Sequence, residues 1–156
     1  MSGNNAWILN FGKNYRAAIG ARELLHLLDV HSTFEVPCTP GYCHSVVAWQ
    51  ERLLPVMDIA SRLSEKSQNA QYIAVVGYQK SRGEYPQFGA LLLTSPPLQA
   101  EVSDEQACKL PENIPGWNEL AISCFDYHGE AMPVLDLKQL FIPQSTIERS
   151  ILAAIK

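Results

Sequence analysis

The chain has 156 residues, enough for one substantial hydrophobic core or for two small β modules that share a seam. Hydrophobic residues make up 47% of it and charged residues 18%, which is typical of a folded protein and argues against extensive disorder. The net charge of -4, with only 12 lysines and arginines and no basic cluster, argues against nucleic acid as a partner.

Targeting signals and disulfides are also not indicated. Residues 1–5 are polar and uncharged where a secretory signal needs a basic start before an apolar stretch, and no segment is as long as a membrane span. We therefore expect a cytoplasmic protein without direct membrane insertion. The four cysteines form no C-x-x-C pair, so we expect free thiols at Cys38, Cys43, Cys108 and Cys124.

The first half of the chain predicts two β-hairpins. Residues 7–11 and 15–19 alternate apolar with other side chains around a turn signal, which indicates an opening hairpin. The leucines of residues 21–29 fit a helical turn as well as a strand, and the assignment stays open. After a loop punctuated by prolines, apolar residues 46–49 and 53–57 flank a polar segment and predict the second hairpin.

The second half begins after the polar residues 64–71, where we place the seam between two subdomains. Residues 72–76 and 88–93 predict buried strands on either side of a charged hairpin tip, and several prolines argue against a long helix in the loop that follows. Residues 120–135 predict a hairpin that copies the second one. Ser145 and Glu148 have capping-box spacing and three isoleucines follow at intervals of four, so a C-terminal helix is predicted at residues 143–156.

A repeated motif links the two halves. Leu-Pro-Val-Met-Asp at residues 54–58 matches Met-Pro-Val-Leu-Asp at residues 132–136, and the prolines Pro55 and Pro133 are 78 residues apart, half the chain length. A proline inside an apolar strand is tolerated only at an edge, a strand start or a bulge. Finding it twice in the same phase predicts two duplicated barrel corners.

The aspartates of the motif, Asp58 and Asp136, are each followed by a short apolar pattern typical of a helix. The simplest role for both is therefore to cap a helix N-terminus, and Gln139 adds capping-box spacing at the second. The alternative is a pair of carboxylates that share a proton, as in aspartic proteases. Such a pair needs Gly-rich turns to bring the carboxylates together, whereas these aspartates are followed by apolar helix-forming residues, so capping is the favoured hypothesis.

Other chemistry is weakly indicated. Zinc accepts thiolate and imidazole ligands, but Cys38, Cys43, His44 and His31 lack zinc-finger spacing, so a loop or core role is favoured over metal binding. The sequence has no nucleophile elbow and no phosphate-binding glycine loop, so we expect no enzyme activity and no cofactor. Tryptophans serve in cores or as interface anchors, and one of the three ends a strand beside a charged turn.

Several segments resemble the CheW-like domain family, which couples chemoreceptors to a histidine kinase. The resemblance rests on residues 7–19, 36–40 and 45–58 and on the second Pro-Val-Leu-Asp motif, and it covers nearly the whole chain. It implies a mainly β fold of two intertwined SH3-like five-stranded β-barrel subdomains around a shared hydrophobic seam, with short helices and a C-terminal helix. We expect a single domain, with residues 15–75 in the first barrel and residues 76–140 plus strand 6–12 in the second.

The resemblance also implies a binding site. The family's Gly-Val-Ile-Asn-Leu-Arg-Gly-Glu run falls on residues 45–52, so we expect partner contacts there, from Val46, Val47, Trp49, Gln50, Glu51 and Arg52. Gln50-Glu51 replaces the family's Arg-Gly pair, and Leu93-Thr94 stands where Val-Asp is common. The chain is thus similar to a divergent member.

Two functions follow from the resemblance as hypotheses. The first is a non-enzymatic adaptor in a chemotaxis-type two-component array, of the flagellar kind or the kind that governs twitching motility by type IV pili. Its partners are then the regulatory domain of a CheA-like histidine kinase, the cytoplasmic tip of a chemoreceptor, or both. The alternative is a diverged interaction module or regulatory subunit that no longer couples receptor and kinase.

Overall fold

The structure is a computed structural model that describes residues 4–12, 15–30, 33–35, 45–64, 70–79 and 81–141. The prediction of a mainly β chain is confirmed: these residues form eleven strands and a few short helices. The predicted C-terminal helix, and the residues Cys38, Cys43, His31 and His44, lie outside the described residues. No helix in the described ranges is long and apolar enough to cross a membrane.

Five strands form one sheet in the order β10-β11-β2-β1-β9. Its strands are β1 (Asn4–Asn10), β2 (Arg16–Gly20), β9 (Leu98–Val102), β10 (Ala121–Tyr127) and β11 (Glu130–Leu135). The opening hairpin is confirmed, since β1 and β2 pair antiparallel from Ala6 opposite Gly20 to Asn10 opposite Arg16. Strand β11 joins β2 in a parallel contact at Val134 and Ala18.

Six strands form the other sheet in the order β3-β7-β8-β6-β5-β4. Its strands are β3 (Leu24–Asp29), β4 (Thr33–Glu35), β5 (Ser45–Trp49), β6 (Arg52–Met57), β7 (Tyr72–Tyr78) and β8 (Gln87–Leu93). The segment left open between helix and strand is thus strand β3, paired with β7. The described residues also include three short α-helices, α1 (Ile59–Ser64), α2 (Trp117–Leu120) and α3 (Leu137–Leu140), and one 3-10 turn (Asp104–Gln106).

The two sheets are intertwined, as predicted, but the expected subdomain boundaries are wrong. Strand β2 was expected in the first barrel and lies in the five-stranded sheet, whereas β8 was expected in the second barrel and lies in the six-stranded sheet. Each half of the chain begins with a hairpin, β1–β2 or β7–β8, and contributes it to the sheet built by the other half. The short β4 gives the second sheet six strands in place of the predicted five.

The repeated prolines occupy equivalent places in the two sheets. Pro55 lies opposite Val46, and Pro133 lies opposite Cys124, four residues after a two-residue turn in each case. The residue pair that flanks a two-residue turn is hydrogen-bonded, and the pairs along the hairpin then alternate between non-hydrogen-bonded and hydrogen-bonded. Both prolines lie in the fourth pair from the turn, which is not hydrogen-bonded. The missing N–H therefore costs the hairpin ladder nothing, and the next residue of each strand starts the parallel pairing with β8 or β2.

Among the residues that the structure describes, three apolar clusters hold the sheets together. One lies within the five-stranded sheet around Ile8, Phe125 and Met132, and another within the six-stranded sheet around Val47 and Ile73. The largest cluster takes side chains from both sheets and from the helices, which is the predicted shared seam. Strand β7 serves two clusters because its successive side chains point to opposite faces.

Phe141, immediately after α3, shows how closely the seam is packed. Its ring is fully buried and stacks on Tyr78 with a centroid distance of 5.7 Å. A Cβ atom added at Gly89, on β8, would lie 2.5 Å from the Phe141 ring. The ring therefore fits only because this position has no side chain. Burial of a phenylalanine side chain contributes about 2–3 kcal/mol to folding, which ties α3 to the six-stranded sheet.

Candidate protein-binding site

The predicted partner-binding segment forms the hairpin of β5 and β6. Trp49 lies opposite Arg52, and the turn between them consists of Gln50 and Glu51 alone. Both turn residues have positive φ, 47° and 64°, as a two-residue type I′ turn requires. Because the left-handed region costs a residue with a side chain about 1 kcal/mol, this turn is strained by its own sequence.

The second copy of the motif has the same turn with a different sequence. His128 and Gly129 connect β10 to β11 with φ values of 53° and 83°. Gly129 occupies the position that corresponds to Glu51, and glycine adopts this conformation at no steric cost. The turn of the first hairpin therefore lacks the glycine that suits its geometry and carries an exposed carboxylate at that position.

An aromatic and cationic cluster lies at the base of the turn. The rings of Trp49 and Phe88 are 5.5 Å apart, tilted by 53°. The guanidinium carbon of Arg52 lies 4.7 Å from the centroid of the Phe88 ring, within the distance of a cation–π contact. Arg52 therefore faces β8 and stays exposed to solvent, with its charge held in place by an aromatic ring.

Exposed apolar side chains extend the cluster into a surface that we call the hairpin patch: Arg52, Leu53, Tyr85 and Phe88. Leu53 is 45% exposed and Tyr85 is 91% exposed. All four line a hollow of about 520 Å³. Phe88 also borders a second hollow of about 430 Å³ beside Leu25, so this residue lines two concave areas. Aromatic and arginine side chains are enriched at protein-binding surfaces.

The predicted site residues divide into two groups. Trp49, Gln50, Glu51 and Arg52 lie together at the tip of the hairpin. Val46 and Val47 are 2% and 0% exposed and pack in the seam and in the core of the six-stranded sheet. Their expected role as contact residues is therefore wrong, because β5 is covered on both faces at these positions.

Sequence reasoning missed Tyr85 and Phe88. Their place beside Arg52 depends on the parallel pairing of β6 with β8, which brings together residues more than thirty positions apart. The alternation of apolar residues within one segment does not specify that pairing. One local signal was available: an aromatic residue and a proline, Tyr85 and Pro86, directly follow a charged turn.

The two motif aspartates cap helices, as predicted. Asp58 is 4% exposed, and its Oδ1 accepts a hydrogen bond of 3.1 Å from the Ser61 amide in α1. Asp136 accepts a bond of 3.4 Å from the Gln139 amide in α3. Each carboxylate thus serves its own helix.

The electrostatics near the seam include one perturbed acid. Burial raises the pKa of Glu23 above its ordinary value, the hydrogen bond from the Gly20 amide opposes the change, and the charge of Asp136 adds to it. Within the described ranges, no group of three or more His, Cys, Asp or Glu side chains is arranged to hold a metal ion.

The architecture defines a class of protein: two curled, intertwined sheets of SH3-like topology around one seam. Among solved structures, the scaffolding protein TtCheW from Thermoanaerobacter tengcongensis is similar over 90% of this chain and 93% of its own, with a TM-score of 0.72 at 12% identity. The resemblance inferred from the sequence is therefore confirmed at the level of the fold. No family model matches the sequence, and no curated protein does.

Proposed function

We propose that this chain is a non-enzymatic adaptor of a chemotaxis-type two-component signalling array. It binds the regulatory domain of a CheA-like histidine kinase, the cytoplasmic tip of a chemoreceptor, or both, in the cytoplasm. The fold supports this proposal because it matches that of a scaffolding protein over nearly its whole length. The observation that carries it is the hairpin patch, where an arginine and exposed apolar side chains surround a hollow at the predicted segment.

The hairpin patch suits a partner with an apolar ridge and an acidic group. Leu53 and Tyr85 offer apolar area that folding leaves exposed, and Arg52 offers a cation whose position is fixed by Phe88. A side chain held in one conformation before binding loses less entropy in the complex than a mobile one. We expect Arg52 and Tyr85 to be the strongest contributors to the binding energy, as these residue types are at other interfaces.

The test compares two exposed leucines on different sheets. We expect Leu53→Ala to weaken binding of the kinase regulatory domain, or of a receptor cytoplasmic fragment from the same organism, about tenfold in titration calorimetry. Leu98→Ala is the matched control, since Leu98 is 56% exposed on β9, in the five-stranded sheet. The proposed site is wrong if both variants bind like the wild type or if both weaken equally.

A second function is favoured by the turn sequence. Glu51 places a carboxylate where the CheW-like family carries a glycine, and it does so at the cost of backbone strain. A diverged interaction module that binds a more basic partner accounts for that substitution. Such a module would bind neither the CheA-like kinase nor the receptor of its organism, even when the hairpin patch is intact.

The array that we propose is one that controls type IV pili. We expect deletion of the gene to reduce the spread of twitching cells while flagellar swimming is retained. Loss of swimming with normal twitching would instead place the protein in a flagellar array.

A further inference from the structure

A pair of cysteines on the opposite sheet has no part in the proposed function. Residues 103–110 run beside β10, the edge strand of the five-stranded sheet. The Gln106 side chain donates a hydrogen bond of 2.9 Å to the Asp126 carbonyl, and the Cys108 amide donates one of 3.0 Å to the Cys124 carbonyl. The segment thus covers a strand edge that would otherwise be open to another chain.

The register of this segment brings the two thiols together. Ala107 lies opposite Phe125 in an antiparallel bridge, so Cys108 lies directly opposite Cys124. Opposed residues of antiparallel strands have Cα atoms about 4.5–5.5 Å apart, within the range that a disulfide spans. The sulfur atoms are 3.2 Å apart, so rotation of the side chains is enough to bring them into bonding distance.

The two thiols differ in access. Cys108 is exposed, whereas Cys124 is buried, with 5% of its surface exposed. Burial, the hydrogen bond with Cys108 and the nearby charge of Asp126 raise the pKa of Cys124 to about 12. An oxidant in solution therefore meets Cys108 first, and Cys124 stays protonated and protected behind it.

We propose that Cys108 and Cys124 are a redox-active thiol pair that a peroxide converts into a disulfide, fixing residues 103–110 to the edge of the five-stranded sheet. The Cys108 sulfur takes one oxygen from the peroxide and becomes a sulfenic acid, and water leaves when the oxidant is hydrogen peroxide. The Cys124 sulfur then attacks the Cys108 sulfur, so that the S–S bond forms and the S–O bond breaks. The hydroxyl group leaves with the Cys124 proton as a second water.

The consequence is a covalent clamp on the strand edge. In the reduced protein, residues 103–110 are held to β10 by a few hydrogen bonds, and peripheral segments held in this way are the first that local opening releases. The disulfide closes the loop between residues 108 and 124 and removes conformations from the unfolded chain. We therefore expect the midpoint of thermal unfolding to rise on oxidation, on the order of 5 °C.

The test uses the full chain with Cys38→Ser and Cys43→Ser, so that Cys108 and Cys124 are the only thiols. After incubation with hydrogen peroxide, we expect mass spectrometry to find one intramolecular cross-link between the two cysteines and both free thiols to disappear. The unfolding midpoint rises, and dithiothreitol reverses the change. Cys124→Ser in the same background is the control, in which Cys108 becomes a sulfenic acid that dimedone traps and the midpoint does not rise.

Two results would overturn the proposal. One is that both thiols remain free, or that Cys108 goes on to sulfinic acid while Cys124 stays reduced. The other is that the midpoint rises equally in the Cys124→Ser control, because the stabilisation would then not come from the disulfide.

Discussion

The backbone of Glu51 is held in the left-handed region by the geometry of a two-residue turn, with φ of 64°. Replacement by glycine removes the steric cost of the side chain, although it adds freedom to the unfolded chain. We expect Glu51→Gly to raise the free energy of unfolding by about 1 kcal/mol, measured by urea denaturation.

Gly129 is the control for this prediction, because it occupies the corresponding turn position with φ of 83° and no atom lies within 4 Å of an added Cβ. Gly129→Ala therefore tests the backbone cost alone, and we expect it to destabilise by about 1 kcal/mol. If Glu51→Gly destabilises the protein as well, the Glu51 side chain contributes a stabilising contact and the strain argument is wrong.

Glu23 makes stability depend on pH. Its pKa in the folded protein is raised, chiefly by burial, above the ordinary value of 4.5. The folded state thus binds this proton more readily than the unfolded state, and Glu23 lowers stability as the pH rises through its folded pKa. In Glu23→Gln, the side-chain oxygen still accepts the hydrogen bond from the Gly20 amide. The glutamine carries no charge that burial would have to desolvate. In urea denaturation, we expect the free energy of unfolding of this variant minus that of the wild type to increase from pH 4 to pH 7. A difference that stays constant with pH would contradict the raised pKa of Glu23.

At the scale of single elements, the helix caps allow a ranking. Asp58 is buried and its bond to the Ser61 amide is 3.1 Å, whereas the bond of Asp136 to the Gln139 amide is 3.4 Å. We expect Asp58→Ala to cost about 2 kcal/mol and Asp136→Ala about 0.5–1 kcal/mol, measured by chemical denaturation. Asparagine caps as well as aspartate, so Asp58→Asn should keep most of the stability, and an equal loss in both Asp58 variants would show that the charge matters more than the cap.

The elements were predictable to the extent that their signals are local. The opening hairpin, the two copied hairpins and both caps were predicted because turn residues and alternation lie within a few positions of each other. Strand β3 was ambiguous because its leucines alternate poorly, and all of its side chains are exposed or half-buried. The hairpin patch was found only in part, since Phe88 reaches Arg52 through a pairing between distant segments.

The exchange of hairpins between the halves was predicted only in part, since strand 6–12 was expected in the second barrel but its hairpin partner β2 was not. The offset of 78 residues relates the second hairpin of each half but gives no sign of which sheet the opening hairpin joins. The expected division placed strand 6–12 with the second barrel but kept residues 15–75 together in the first and residues 76–140 in the second, and it failed at β2 and β8. Long-range pairing is decided by the fit of whole buried faces in the seam, where small residues such as Gly89 and large ones such as Phe141 are matched.

At the scale of the whole molecule, the seam is open to a direct test. The added methyl group of Gly89→Ala collides with the buried Phe141 ring, and we expect a loss of about 1–3 kcal/mol. In a Phe141→Leu background the same change should cost less, because the smaller side chain leaves room for it. The free energies of unfolding of the wild type, the two single variants and the double variant give the coupling between Gly89 and Phe141. Additive losses would show that Gly89 does not hold Phe141 in place.

The exchanged hairpins also predict how the chain behaves when it is cut. A fragment of residues 1–69 has β1 to β6, and a fragment of residues 70–156 has β7 to β11, so each lacks strands from both sheets. Neither fragment can enclose its apolar clusters alone, and we expect both to give far-UV circular dichroism of unfolded chains. Mixed together, they should form a one-to-one complex that unfolds cooperatively. A contiguous division into two barrels predicts the opposite, since each fragment would then fold alone, and cooperative unfolding of either one by itself would refute the exchange.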